Sequence, residues 1–171
     1  MDARSDLIDL RYFDQAGFTL EPSIPYGWQP IGTTIQLPCS KSKRLNVLGL
    51  LGKDCSFESW VFDGYINSLI VVEFFDRLAS SITRPMAVVI DNAPIHTSGE
   101  FTKNIDEWAS KGWIIVNIPP YSPELNLIEI LWRKIKYEWM PFSAYQFFQN
   151  LQESLHEILG SIGTSYTIKF S

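Results

Sequence analysis

The sequence predicts an α/β protein, a mixed five-stranded sheet with helices on both faces. Three observations predict it. Met86–Ile90 reads MAVVI, an unbroken apolar run between Pro85 and Asp91, as a strand buried on both faces does. A second such run, residues 113–118, follows a helical segment. Before both lie three strand-like stretches joined by turns rather than helices, an antiparallel meander. The length of 171 residues fits one domain over 1–171 on a prior of ~100–200 residues per domain.

Taken in order, residues 7–13 form a first strand that stops at Asp14, with Gln15, Ala16 and Gly17 as a turn. Residues 22–40 carry no charge but contain Pro22, Pro25, Pro30, Pro38, Gly27 and Gly32. That is an irregular loop, because these residues break any membrane-spanning helix. Residues 44–51 and 56–62 make the second and third strands around a Gly52-Lys53-Asp54 turn. Apolar residues at 66, 69, 70, 74, 78 and 82 are spaced for a helix; Ile70-Val71-Val72 would suit a strand equally, and length decides for the helix. Residues 97–109 form a helix capped by Thr97 or Ser98, and strand 113–118 closes at Pro119-Pro120. A long helix starts at Ser122 as N-cap with Pro123 in its first position, and Pro141 ends it. A last helix, 143–159, leads to a tail, 161–171, in which 166–170 form an edge strand.

Hydrophobic residues are 46% and charged residues 19%, an ordinary soluble composition. The net charge of −5 gives no general attraction to a polyanion, so any nucleic-acid role rests on local basic patches. Cys39 and Cys55 form no CxxC pair, which favours a reducing compartment and does not favour structural zinc. The charged N-terminus, MDARSD, lacks a signal-peptide core, so a cytoplasmic or nuclear location is expected.

Chemistry in such sheets gathers at the carboxyl ends of central strands, where Asp14 and Asp91 stand. Each alone also suits a turn; together on neighbouring strands they could share a hard divalent cation, which takes oxygen ligands. The long helix offers a third carboxylate, Glu124 or Glu129. Its apolar stripe is Leu125, Ile128, Trp132, Ile135 and Trp139, and Glu129 falls about 85° from the centre of that stripe. Glu124 is explained by the helix dipole, and Glu129 equally by an i,i+4 pair with Arg133. Geometry leaves the choice open. Basic residues form two groups, Lys41, Lys43 and Arg44 before the second strand and Arg133 and Lys136 on the flank of Glu129; either is a candidate for DNA-backbone contact. Most of the six tryptophans read as core, and only Trp28 as an exposed aromatic.

Ile90-Asp91-Asn92-Ala93-Pro94-Ile95-His96 and Pro119-Pro120-Tyr121-Ser122-Pro123-Glu124-Leu125-Asn126-Leu127-Ile128-Glu129-Ile130-Leu131-Trp132 resemble the core of the mariner-like insertion-sequence transposases. Those are DDE endonucleases with a ribonuclease-H-like fold. Phe13-Asp14-Gln15-Ala16-Gly17-Phe18 and Tyr26-Gly27-Trp28-Gln29-Pro30 resemble the first acidic segment, so the likeness spans residues 14–139. It implies a catalytic, metal-binding triad of Asp14, Asp91 and Glu129, with Glu129 chosen because the third acid comes late in its segment. Asn92, His96 and Gln15 would surround the triad.

The resemblance further implies two Mg²⁺ or Mn²⁺ ions per site and phosphodiester hydrolysis with strand transfer. The partners would be double-stranded DNA, as transposon ends and target, and a second copy of the chain on paired ends. Full-length members carry N-terminal helix-turn-helix modules, for which nothing before Asp14 is long enough; the chain is expected to be the catalytic half, with the other half a possible separate product. A nucleoid-associated cytoplasmic location is implied, nuclear in a eukaryote. Two departures stand out. Gln15 replaces the usual glutamate, and 37 residues separate Asp91 from Glu129, slightly more than is usual, with the excess assigned to the turn at 110–112. The alternative expectation is an impaired remnant acting only as a binding module.

Overall fold

The computed structural model describes residues 8–22, 30–33, 43–120 and 122–170. Five strands, β1 Asp9–Phe18, β2 Leu45–Gly52, β3 Phe57–Asp63, β4 Met86–Ile90 and β5 Trp113–Asn117, form one mixed sheet in the order β3-β2-β1-β4-β5. The meander pairs antiparallel, and β4 and β5 add parallel. Helix α1 Ser68–Ala79 follows β3, the short α2 Gly99–Thr102 and α3 Ile105–Ser110 link β4 to β5, and α4 Ile128–Lys134 and α5 Phe148–Gly160 follow β5.

Strand alternation sends side chains to two cores. Tyr12, Ala16, Phe18, Leu45, Val47 and Leu51 pack under α4 and α5. Phe13, Leu48, Leu50, Val88 and Ile90 pack under α1 to α3. Fully buried Phe13, Phe74, Phe75, Trp108 and Trp113 fill the second layer with tilted and edge-on rings, so its tryptophans are core as expected.

Four expectations are corrected. Strand β1 does not stop at Asp14: β2 pairs with it from Arg11 to Phe18, satisfying the backbone beyond the acid. The 97–109 helix is two short helices, with Ser98 accepting from the Phe101 N–H as N-cap. The long helix is a 3₁₀ turn Pro123–Leu125, a break at Asn126, α4, and a π turn Ile135–Trp139 closed by Met140 N–H to Ile135 C=O. Ser122 makes no side-chain cap, and Leu125, expected in the apolar stripe, is exposed instead. The tail pairs only through an isolated Ile162–Tyr166 bridge, and packing holds it instead: Ile168 is buried, with its C=O 3.1 Å from the Cys55 thiol, and Tyr166 lies on Trp139 at 4.7 Å. Among the described residues no helix is long and apolar enough to cross a membrane.

Candidate active site

Asp14 faces α4 from the middle of β1. Its cross-strand partner is Gly49, and the space a side chain would take there holds an indole: a Cβ on Gly49 would lie 2.7 Å from Cη2 of Trp132 and 3.0 Å from Cε2 of Phe57. From that seat Trp132 Nε1 donates to Asp14 Oδ2 at 3.1 Å. The sequence places Trp132 in the apolar stripe of the helix, which leaves its contact with Asp14 unseen. The available signal was that a buried indole N–H needs an acceptor. Gly49→Ala is expected to cost about 1–3 kcal/mol by overpacking and to push the indole off Asp14. Urea denaturation checks this; unchanged stability contradicts it.

Parallel pairing of β1 with β4 ends at Tyr12 and Val89. Asp14 and Asp91 therefore each lie two residues beyond the last pair, side by side in register. Asp91 Oδ1 accepts from the Ala93 N–H at 3.1 Å and lies 2.6 Å from His96 Nδ1. The His96 hydrogen bond holds the Asp91 carboxyl below its usual range, the Ala93 N–H helps, and partial burial opposes them. The His96 ring is fully buried between Phe13 and Phe101, so it orients an aspartate and is out of reach of a phosphate. Asn92 Nδ2 donates to the Ile118 C=O at 2.6 Å and its Oδ1 accepts from Asn117 at 3.1 Å, tying the end of β4 to the end of β5.

Glu129 opens α4. It lines a cleft of about 430 Å³ with Asp91, Asn92, Pro119 and Asn126. Glu124, exposed on the 3₁₀ turn, is not among the lining residues, and Glu129 makes no ion pair with Arg133 among the described residues. Asp14 lies 8% exposed. Burial pushes its carboxyl up to about 7, and the charges of Glu129 and Asp91 push the same way against hydrogen bonds from the Gln15 backbone and Trp132. Asp14 thus feels the charges of both other carboxylates. Among the described residues no three His, Cys, Asp or Glu side chains stand close enough to form a ready metal cage; Asp14 is turned to Trp132 and Asp91 to His96.

A model of the DDE superfamily endonucleases matches residues 9–152. The chain belongs to that family. Among solved structures, the Mos1 strand transfer complex superposes with a TM-score of 0.62 at 16% identity over 92% of this chain and 48% of that one. The Mos1 transposase catalytic domain with raltegravir and Mg gives 0.55 at 13% identity over 91% and 72%. The catalytic core domain of BIV integrase gives 0.57 at 15% identity over 94% and 86%. These likenesses are of fold, the ribonuclease-H-like sheet, and this endonuclease spans about half the length of the chains in the Mos1 strand transfer and paired-end complexes. No curated protein matches the sequence.

Lys136 is half-buried with Nζ 5.4 Å from the Phe18 ring centroid. Burial pulls its ammonium down, while Glu129 and Asp14 push it up and Arg44 opposes them, so Lys136 lies within the field of the acids. The Arg44 guanidinium lies directly over Gly17, where any Cβ would collide with it. Lys43 is exposed over the Phe148 ring, and Arg133 is exposed. Lys41 and Trp28 fall outside the described residues. Gln15 shares the Phe13 face of β1, opposite to Asp14, and borders a hollow with Arg44, Asn46 and Tyr65. Gln15→Glu is therefore expected to leave Mn²⁺ affinity within about threefold, since its carboxylate would point away from the acids. Calorimetric titration checks this, and a tenfold gain contradicts it.

Proposed function

We propose that this chain is the catalytic part of a DNA transposase that hydrolyses phosphodiesters at transposon ends and joins the freed 3′-hydroxyl to target DNA, with Asp14, Asp91 and Glu129 as metal ligands and catalytic residues. The observation that supports the reading is that Asp14 on β1 and Asp91 at the end of β4 stand in register, with Glu129 at the start of α4 lining the cleft beside Asp91, Asp14 buried, and neither Asp14 nor Glu129 in an ion pair among the described residues. An all-oxygen, anionic donor set fits Mg²⁺ or Mn²⁺, and we propose two ions. When bound, they supply Lewis-acid activation of the attacking oxygen and stabilisation of the leaving one.

The chain's own residues do the rest. Water attacks phosphorus, the bond to the bridging 3′-oxygen breaks, and that oxygen leaves as a hydroxyl; in joining, the hydroxyl attacks a target phosphodiester and displaces another 3′-oxygen. Asp91, held by His96 and the Ala93 N–H, and Asp14, held by Trp132, keep the carboxylates in place through both steps. Asn92 fixes the cleft wall. Lys43, Arg44, Arg133 and Lys136 contact backbone phosphates, with Lys41 a further candidate.

Structures of this fold are described as a strand transfer complex and as a paired-end complex with a transposon end, which supports DNA as partner; a homodimer assembled on two ends is part of the proposal. An end-recognition module, in the same polypeptide or a separate product, is part of the proposal, as is action at the nucleoid or in a nucleus. Gln15, the main reason to suspect an impaired remnant, faces away from Asp14, which weakens that alternative. The test is nicking of end-bearing DNA at high DNA concentration: cleavage with Mg²⁺ or Mn²⁺ and none with chelator is expected, and metal-independent cleavage contradicts the reading.

A further inference from the structure

Asn126 is 2% exposed and sits where the predicted long helix breaks, with an extended backbone (φ −96°, ψ 94°). Its side chain crosses to the sheet: Nδ2 donates to the C=O of Phe13, the residue before Asp14, at 3.0 Å. Its own C=O accepts from the Glu129 N–H at 3.0 Å. One residue thus bonds directly to the strand of the first acid and to the backbone of the third. Its Oδ1 is buried without a partner among the described residues, and the residue lines the cleft beside Asp91 and Glu129. An amide kept in this place has a use beyond filling space, since an apolar side chain would leave no orphan acceptor.

We infer that Asn126 is a positioning residue that sets the separation of Glu129 from Asp14, and that its free Oδ1 takes a hydrogen bond from a donor in the cleft, such as an ordered water. The inference rests on the proposed triad. Breaking the strap lets α4 move relative to β1 and loosens any ion held between the two acids, and outer groups that orient metal ligands carry about 10–100-fold of affinity.

The test is Mn²⁺ titration of the full chain by calorimetry and electron paramagnetic resonance, with no DNA present. Asn126→Leu, close in size but without donor or acceptor, is expected to weaken Mn²⁺ binding at least tenfold; Asn126→Ser, which leaves room for water, serves if the leucine variant does not fold. Leu155→Ala, a buried core residue on α5, controls for lost stability and is expected to bind Mn²⁺ as the wild type does. If Asp91→Asn loses binding while both Asn126 variants stay within twofold of wild type, or if Leu155→Ala weakens binding as much as they do, the inference falls and the triad stands. If the wild type binds no Mn²⁺, the triad and the inference fall together.

Discussion

Asp91→Asn is expected to lower metal-dependent nicking by about a thousandfold, because one change removes a ligand charge and the stabilisation it gives the transition state. The fold should survive. The asparagine oxygen still accepts from the Ala93 N–H and from His96 Nδ1, so stability should shift by no more than about 1 kcal/mol. Single-turnover nicking of an end-bearing supercoiled plasmid, beside urea denaturation, reads both. Activity within tenfold of wild type, in a folded variant, would remove Asp91 from the chemistry.

The second large effect has the opposite sign for stability. Asp14 holds its proton in the folded chain up to about 7, against 3.8 for the ordinary carboxyl. Between those values the unfolded chain binds fewer protons than the folded one, so stability falls as pH rises and the loss is complete above about 7. The difference corresponds to a cost on the order of 4 kcal/mol at pH 8 in metal-free protein. Asp14→Asn carries no charge at any pH and still accepts from Trp132. It is expected to match the wild type near pH 4 and to be about 2–4 kcal/mol more stable at pH 8 in chelator, while losing Mn²⁺ binding. Equal stability at pH 8 would mean that Asp14 is not a buried, uncompensated acid. A site that is destabilised until an ion arrives is the familiar exchange of stability for function.

Local signals carried much of this. Met86–Ile90 was legible to the residue because an apolar run between a proline and an aspartate needs no distant partner; Asp91 at its end followed. The extent of β1 was not legible, since the residues after Asp14 are held by β2 some thirty positions away. Periodicity saw one helix from Ser122, whereas Asn126 breaks it to reach the Phe13 C=O across 113 positions, a bond that no local pattern encodes. The same break separates exposed Glu124 from cleft-lining Glu129, which is why helix geometry left the two acids even. Trp132 fitted its stripe, but hydropathy is blind to where an indole N–H points.

The most direct measurement is anomalous diffraction from crystals of the chain soaked in Mn²⁺. The account predicts Mn²⁺ within about 2.0–2.6 Å of carboxylate oxygens of Asp14, Asp91 and Glu129, with Asp14 drawn from Trp132 toward the ion. Mn²⁺ ligated by Glu124 instead of Glu129, or bound only away from Asp14 and Asp91, would contradict it.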